Sequence, residues 1–401
     1  MKAGKRIGLA ATASLLLATA VTYSAELMTL QVEQPPDLLL PPESRRGMFK
    51  LGMFDIIPQL AVGMTYDNNI FATSVNTVSD YIWTIAPGIT AIASDPQDGK
   101  KFLLSYVPSF VFYTKNPEEN TVGQSVRVSS LLPLARLTLG LDGTVNIEQS
   151  AVVGTGQLVQ TRSYTAAATS KYEVGAKTSV EVNGKMFFEN GESLIGNSTW
   201  GNNDWINYSL SDRLTMGLGV TFNYVTVENA PNQTYEQALV RAAYSFSEKL
   251  VLNVTVGPEW RQYGGGAPDT LSPAVGIGAS YRILRNTTLN LTAAETIQTS
   301  LDLTGQNYYD KNIHLYIVQK LTDKLSLSIG GGYEHDRYYS VVSGVPPDQA
   351  TDLYTAGTGL SYQILERWTA GIFYNYRQNT GNASVNRFND NQAGIQTSWT
   401  Y

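Results

Sequence analysis

The feature that most constrains this chain is a period of two in its hydrophobicity. From about residue 54 to the C-terminus, apolar residues alternate with polar or small ones, and the segments 137–148, 214–224 and 250–261 show this most clearly. Successive side chains of a β-strand point to opposite faces, so each segment has one apolar face and one polar face. The pattern predicts an all-β chain of long antiparallel strands.

The strands are joined by two kinds of connection that follow one another in turn. Eight short polar turns recur every ~36–43 residues, which is a fixed supersecondary period. Longer polar connections lie between them, such as 67–80, 190–203, 339–352 and 379–390. Eight short turns and two chain ends give about eighteen antiparallel strands.

Long strands with short turns on one side and long loops on the other are typical of an outer-membrane β-barrel. Each predicted strand has ~11–14 residues, enough for the ~9–11 that a tilted membrane strand needs. Lipid cannot hydrogen-bond a free strand edge, so such a sheet has to close. We therefore expect a single transmembrane antiparallel β-barrel with short periplasmic turns and longer extracellular loops. A soluble sandwich, propeller or β-helix is the alternative, but its strands are shorter.

The N-terminus has the pattern of an export signal. Basic residues up to Arg6 precede an uncharged apolar run from Ile7 to Ala20, which is too short for a membrane-spanning helix. We expect a signal peptide over residues 1–25 with cleavage after about residue 20–25, although a single anchoring helix remains the alternative. A Pro-rich periplasmic linker over 26–51 and the barrel over 52–401 would follow.

Composition excludes several classes of protein. The chain has no Cys and two His, which argues against disulfide scaffolds, thiol enzymes and zinc or iron–sulfur sites. A net charge of -6 disfavours nucleic-acid binding. Charged residues make up 15% of the chain, which suits a protein whose strands expose one face to lipid. We expect no metal, no cofactor and no nucleic-acid partner.

Both ends of the predicted barrel resemble known outer-membrane proteins. The last strand places Ile395, Trp399 and Tyr401 on one face, which resembles the C-terminal signal read by the barrel-assembly machinery. Near the start, Tyr66-Asp67-Asn68-Asn69 leads into Ile70-Phe71, and Asp80-Tyr81-Ile82-Trp83 follows. From about Gly52 to Tyr401 the chain resembles the bacterial outer-membrane family called β-barrel porin 2. That resemblance implies an association with exopolysaccharide export. The residues alone make 66–69 a strand-ending turn, with a cation site as the alternative.

The polar face supplies the candidates for lining a channel. These residues carry both signs of charge, so no single-sign field selects anions or cations, and neutral hydroxyl-rich solutes fit best. The candidates are Asp142, Glu148, Glu181, Lys185, Arg241, Glu259, Arg261, Arg282, Glu334 and Arg377. Aromatic residues on the same face, which could stack on sugars or fill the lumen, are Tyr113, Trp205, Tyr316 and Phe373.

A catalytic site finds little support. His335 lies between Glu334 and Asp336, and neither carboxylate shares its face of the strand. His314 sits alone between two apolar residues. A hydrolytic histidine needs an orienting carboxylate and a nucleophile within reach. We therefore expect no catalytic residue and no enzyme, and a rim hydrolase built around His335 is a minor alternative.

These observations predict a porin-like channel in the outer membrane of a Gram-negative bacterium. It would pass hydrophilic solutes passively, with export of exopolysaccharide or a related polymer as the cargo that the family resemblance implies. A plugged structural or surface-interaction barrel is the alternative. The expected partners are outer-membrane lipid, lipopolysaccharide and the barrel-assembly machinery, and the resemblance adds a polysaccharide-export complex.

Overall fold

The computed structural model describes residues 49–95, 99–152, 156–342, 349–382 and 387–401. The predicted signal peptide and all but the last three residues of the predicted linker lie outside these ranges. Within them no helix is long and apolar enough to cross a membrane. The linker's last three residues form a short strand, β1 (Phe49–Leu51), which pairs with the start of β2 (Phe54–Asp67).

Eighteen long antiparallel strands close into a barrel, as the sequence predicts. Each strand pairs with the next along the chain, and the last pairs with β2. Their lengths are 12 to 17 residues, slightly more than expected. The strands are β2 (Phe54–Asp67), β3 (Asp80–Asp95), β4 (Lys100–Tyr113), β5 (Thr121–Pro133), β6 (Leu137–Val152), β7 (Gln157–Glu173), β8 (Thr178–Gly191), β9 (Asn197–Ser211), β10 (Leu214–Val227), β11 (Gln233–Ser247), β12 (Leu250–Tyr263), β13 (Thr270–Leu284), β14 (Thr287–Thr299), β15 (Gln306–Lys320), β16 (Leu325–Ser340), β17 (Ala350–Leu365), β18 (Trp368–Asn379) and β19 (Phe388–Thr400).

The two ends of the barrel differ as predicted. At the turn end, pairs of strands are joined by connections as short as residues 212–213 or 366–367; at the loop end, by longer ones such as residues 68–79. One predicted connection was too long: residues 190–203 were expected to be a loop, but β9 already begins at Asn197. The polar run 197–203 continues as strand because its partner β10 extends to the same height.

The alternation maps onto the two faces of the wall. In β10, Met216, Leu218 and Phe222 are exposed on the outside, whereas Gly219 and Thr221 are buried on the inside. An apolar outer surface in contact with lipid and a polar lumen is the reverse of a soluble protein, and it is what a membrane barrel requires. The exterior is therefore the lipid-facing surface.

Exposed aromatic side chains on the outside form two belts. The amphipathic rings of Tyr and Trp are stable at a membrane–water boundary. The belt near the loop end contains Tyr66, Tyr81, Trp83, Trp200, Tyr224, Trp260, Tyr354 and Tyr374. The belt near the turn end contains Tyr172, Tyr208, Tyr281, Tyr362 and Trp368. The two belts mark the limits of the bilayer.

The barrel closes where β19 pairs with β2, and we call this junction the seam. At the loop end, residues 66–69 hydrogen-bond across the seam. The Oδ1 of Asp67 accepts a bond from the Asn69 amide at 2.7 Å, and Oδ1 of Asn68 accepts one from the Asn391 amide at 2.7 Å. The Asn69 side chain donates to the carbonyl oxygens of Thr73 at 2.8 Å and Asn389 at 3.1 Å. These bonds join the end of β2 to the start of β19.

The C-terminal signal lies at the other end of the same seam. Ile395 faces lipid, and the Arg367 guanidinium lies 3.6 Å from the ring centroid of Tyr401. The Tyr401 amide donates to the carbonyl oxygen of Pro58 at 3.1 Å. Recognition of this C-terminal signal by the barrel-assembly machinery stays a prediction.

Candidate functional site: the lumen and its loop end

One side of the lumen is open to water. On the inward faces of β5 and β6, Ser125, Arg127 and Glu148 are exposed. Arg127 lies 3.4 Å from Asp142, with both side chains partly exposed. Exposed polar side chains on the inside of a closed wall mean that solvent occupies this part of the lumen, because nothing packs against them.

A second group of polar side chains lies on β8, β9 and β11. The Arg241 guanidinium bonds Glu181 at 2.6 Å and the amide oxygen of Asn207 at 2.6 Å, and it stacks 4.3 Å from the Trp205 ring centroid. The Trp205 ring in turn lies over Gly219, where a Cβ atom would collide with it. Trp205 therefore packs within the barrel wall, and its ring is not free to stack on a solute.

Opposite β5 and β6, the barrel wall departs from a regular cylinder near the loop end, because two neighbouring strands separate there. The β13–β14 ladder ends at Val275↔Glu295. The β12–β13 ladder continues to Arg261↔Thr270, and the β14–β15 ladder continues to Thr299↔Asn307. The upper end of β14 therefore separates from β13 while keeping its partner β15.

The separated segment folds inward across the lumen. The Arg261 guanidinium on β12 reaches the carbonyl oxygen of Ile297 on β14 at 3.2 Å. The amides of Gln233 on β11 and Asn307 on β15 exchange bonds of 3.1 and 2.8 Å. Asn307 belongs to the face of β15 that exposes Ile313 to lipid lower down, yet it is 0% exposed. At the loop end, therefore, the face of β15 that contacts lipid lower down packs against the inside of β11 and β12.

Aromatic side chains complete this contact. The Tyr263 and Tyr339 hydroxyls lie 2.8 Å apart, and Tyr309 stacks on Tyr339 with ring centroids 4.9 Å apart. We call the loop-end parts of β14, β15 and β16 (residues 296–299, 306–310 and 333–340) the inward wall. It narrows the lumen from one side and leaves the β5–β6 side open.

The tip of the inward wall crosses the mouth. The Ile195 amide donates to the carbonyl oxygen of Leu301 at 2.7 Å, although six strands separate their two loops around the barrel. We call these two loops, 192–196 and 300–305, the mouth bridge. Burial raises the pKa of the Asp302 carboxyl within it, and its acceptor bond from the Ser300 hydroxyl at 2.6 Å opposes this only partly.

Two buried ion pairs stabilise the loop end. Glu259 and Arg261, each 3% exposed, lie 2.9 Å apart, and Glu259 also accepts a bond of 2.7 Å from Gln237. At the seam Arg377 bonds Asp390 at 2.8 Å. A buried ion pair needs such additional bonds to offset its desolvation. These groups hold the loop end together and are not free to bind a solute.

The structure places the channel-lining candidates on inward-facing positions, in two environments. Asp142, Glu148 and Arg127 lie on the open side, whereas Glu259, Arg261, Glu334 and Arg377 are buried at the loop end. Glu181 and Arg241 are half-buried partners, and Lys185 and Arg282 also take inward positions. Their role in lining a channel stays a prediction. The sequence did not point to Arg127, although its parity in β5 could have found it.

His335 has an orienting carboxylate that its neighbours in sequence do not reveal. It faces outward, and its Nδ1 lies 2.8 Å from Oδ1 of Asp352 on β17, which also accepts a bond of 2.7 Å from the Tyr333 hydroxyl. The neighbours in sequence, Glu334 and Asp336, face the lumen, as expected. Only the register between β16 and β17 reveals the pair, so no local pattern could have shown it. Within the described residues, Asp352 is the hydrogen-bond partner of His335, and no Ser, Thr or Cys side chain bonds the imidazole.

The glycine run 330–332 lets the other histidine lie flat on the wall. A Cβ at Gly332 would collide with the His314 ring on the adjacent strand. His314 faces the lumen, on the same side of the wall as Thr292 of β14.

Comparison with known proteins finds matches among solved structures at low sequence identity. No protein-family model and no curated protein matches the chain, so the resemblance to the β-barrel porin 2 family stays a prediction. Among solved structures, OpdK from Pseudomonas aeruginosa is 12% identical with a TM-score of 0.45 and covers 86% of this chain and 98% of its own. OccK2 (OpdF) from the same organism, in complex with glucuronate, is 10% identical with a TM-score of 0.48 and the same coverages. OccAB4 of Acinetobacter baumannii is 9% identical with a TM-score of 0.46 and again the same coverages.

The closed wall, the apolar exterior and the two aromatic belts decide the class of protein and its location. The chain is an outer-membrane β-barrel. It belongs in the outer membrane of a Gram-negative bacterium, because this is where such closed transmembrane barrels are found.

Proposed function

We propose that the barrel is a passive channel for small hydrophilic solutes, narrowed at its loop end by the inward wall. The observation that carries the proposal is the solvent-exposed polar surface of β5 and β6, with Ser125, Arg127 and Glu148, inside an eighteen-stranded wall. A barrel of ~16–18 strands is wide enough to leave an aqueous channel. A fully plugged barrel would bury these side chains.

Neutral, hydroxyl-rich solutes fit the open side best. Arg127 and Asp142 form an exposed pair of opposite charge, with Glu148 on the same strand as Asp142. Charges of both signs largely offset one another, so they leave no strong field that rejects or concentrates an ion of one sign. Hydroxyl groups can both donate to the carboxylates and accept from the guanidinium.

Export of a polymer is the finer function that the family resemblance implies, and we place it second. The mouth bridge joins two loops six strands apart. A polymer would have to pass beside this bridge or displace it, whereas a small solute needs only the open side. No residue of the described loop end favours a polymer over a monomer. The prediction that the chain is not an enzyme is unaffected by this choice.

Liposome swelling tests the proposal. Proteoliposomes containing the refolded barrel are diluted into isotonic solutions of a monosaccharide, a trisaccharide and a dextran. We expect rapid swelling with the monosaccharide, slower swelling with the trisaccharide and none with dextran. Vesicles that carry the barrel but behave like empty vesicles in every sugar would contradict the channel, and swelling in dextran would favour polymer passage.

A further inference from the structure

Three carboxylates meet inside the inward wall, and no basic side chain of the described residues forms an ion pair with them. Asp310 on β15 lies directly across from Asp336 on β16, and Glu334 lies two residues earlier on the same face. One oxygen atom from each lies within 4.8 Å of the others. Their exposed fractions are 4%, 7% and 7%.

Within the described part of the chain, two side chains outside the cluster donate hydrogen bonds to it. The Asn312 amide donates to both oxygens of Asp310, at 3.0 and 3.1 Å, and the Thr351 hydroxyl donates to Asp336 at 3.2 Å. Lys311, adjacent in sequence, faces the other side of the strand and pairs with Glu295 at 2.9 Å.

A second observation points to a missing ligand. Oε1 of Glu334 and Oδ1 of Asp336 are fully buried, and within the described chain neither has a hydrogen-bond partner. The buried carboxylates Glu259 and Asp390 differ, because each has an arginine at bonding distance. Burying an unpaired carboxylate costs several kcal/mol. Three together require a positive charge among them, or protons.

We propose that Asp310, Glu334 and Asp336 bind a calcium ion. Carboxylate oxygens are hard ligands, which suit Ca²⁺ and Mg²⁺ rather than the softer transition metals. Oxygen atoms that share a Ca²⁺ at about 2.3–2.6 Å are at most about 5 Å apart, so the separation of these three fits one ion. The two unpartnered oxygens would be ligands, and water would complete the coordination.

The site lies where it can stabilise the inward wall. Two ligands come from β16 and one from β15, next to the stacked rings of Tyr308 and Tyr338. A bound ion would cross-link these two strands on the face opposite the contacts with β11 and β12. Calcium would therefore hold the narrowed form of the loop end, a property separate from whether solutes pass.

Calorimetric titration of the refolded barrel tests the proposal. The protein is refolded in detergent free of lipopolysaccharide, treated with a chelator, and titrated with CaCl₂. We expect one ion per barrel, with a dissociation constant on the order of 10⁻⁴–10⁻³ M, and a higher thermal unfolding temperature in Ca²⁺. Replacing both β16 ligands (Glu334→Gln with Asp336→Asn) should weaken binding at least tenfold and abolish the thermal shift.

The matched control is Glu189→Gln, which removes an equally buried carboxylate, 4% exposed, outside the cluster, and should bind Ca²⁺ like the wild type. A wild-type protein that does not bind Ca²⁺ at millimolar concentration would overturn the proposal, since protons or another cation must then neutralise the carboxyl groups. Equal binding by the wild type and the double variant would also overturn it. If the double variant does not fold, the wild-type titration still decides. The titration does not measure solute passage, so the channel proposal is independent of its outcome.

Discussion

At the scale of single residues, burial separates charges that stabilise the barrel from charges that meet solvent. Arg261 and Arg127 both face the lumen, but Arg261 is 3% exposed and holds Glu259 and the inward wall, whereas the Arg127 side chain is 45% exposed. The sequence predicted that Arg261 faces inward from its parity alone. It could not predict burial, because burial depends on β14 folding over β12.

Arg261 gives the first prediction. Replacing it with Met leaves Glu259 buried without its cation and frees the contact to Ile297, so we expect a loss of about 3–5 kcal/mol in the free energy of unfolding. Arg127→Met removes only a partly exposed pair and should cost less than about 1 kcal/mol. Urea unfolding of both variants in lipid vesicles, followed by tryptophan fluorescence, measures the difference. Equal losses would show that the inward wall does not depend on this pair.

The seam motif gives the second prediction. Asn69 is 1% exposed, and its side-chain amide donates hydrogen bonds to the backbone carbonyl oxygens of Thr73 and Asn389. In Asn69→Ala these part-buried carbonyl groups lose their donor, at about 0.5–1.5 kcal/mol each. The exposed turn residue Asn286 provides a control, since Asn286→Ala should leave the urea midpoint unchanged. A midpoint for Asn69→Ala that matches the control would exclude the fastening role.

At the scale of elements, the sequence predicted the strands well and their departures from a cylinder poorly. The period of two and the recurring turns gave eighteen strands, because both are local signals. The inward wall keeps the same alternation as the rest of the barrel, so no change of period marks it. The sequence likewise missed the pair of His335 with Asp352, because it depends on strand register across 17 residues.

The mouth bridge gives the third prediction. The chain has no Cys, so Ile195→Cys with Leu301→Cys introduces a single possible disulfide where the two loops already touch. We expect the oxidised form to conduct ions like the reduced form, because the bridge is the resting conformation and ions pass on the β5–β6 side. Bilayer recordings before and after a reductant make the comparison, with Ile195→Cys alone as the control. Conductance that appears only after reduction would show that the bridge must open.

At the scale of the whole molecule, the low charged fraction and the abundant tyrosine follow from a β-sheet that contacts lipid on one face and water on the other. The outer face meets lipid and carries the aromatic belts. The inner face carries the pairs Arg127–Asp142, Arg241–Glu181, Arg261–Glu259 and Arg377–Asp390. Composition could therefore predict the class of protein, but not how open the lumen is. That property comes from where one part of the wall folds, which is a tertiary feature.

The open lumen is the central claim, and single-channel recording in planar bilayers tests it most directly. The purified barrel, inserted at low concentration in 1 M KCl, should produce discrete, repeated conductance steps with little preference for either ion, because Arg127, Asp142 and Glu148 carry both signs of charge. Insertion without conductance at any applied voltage would mean that the inward wall and the mouth bridge seal the lumen, and it would contradict the account.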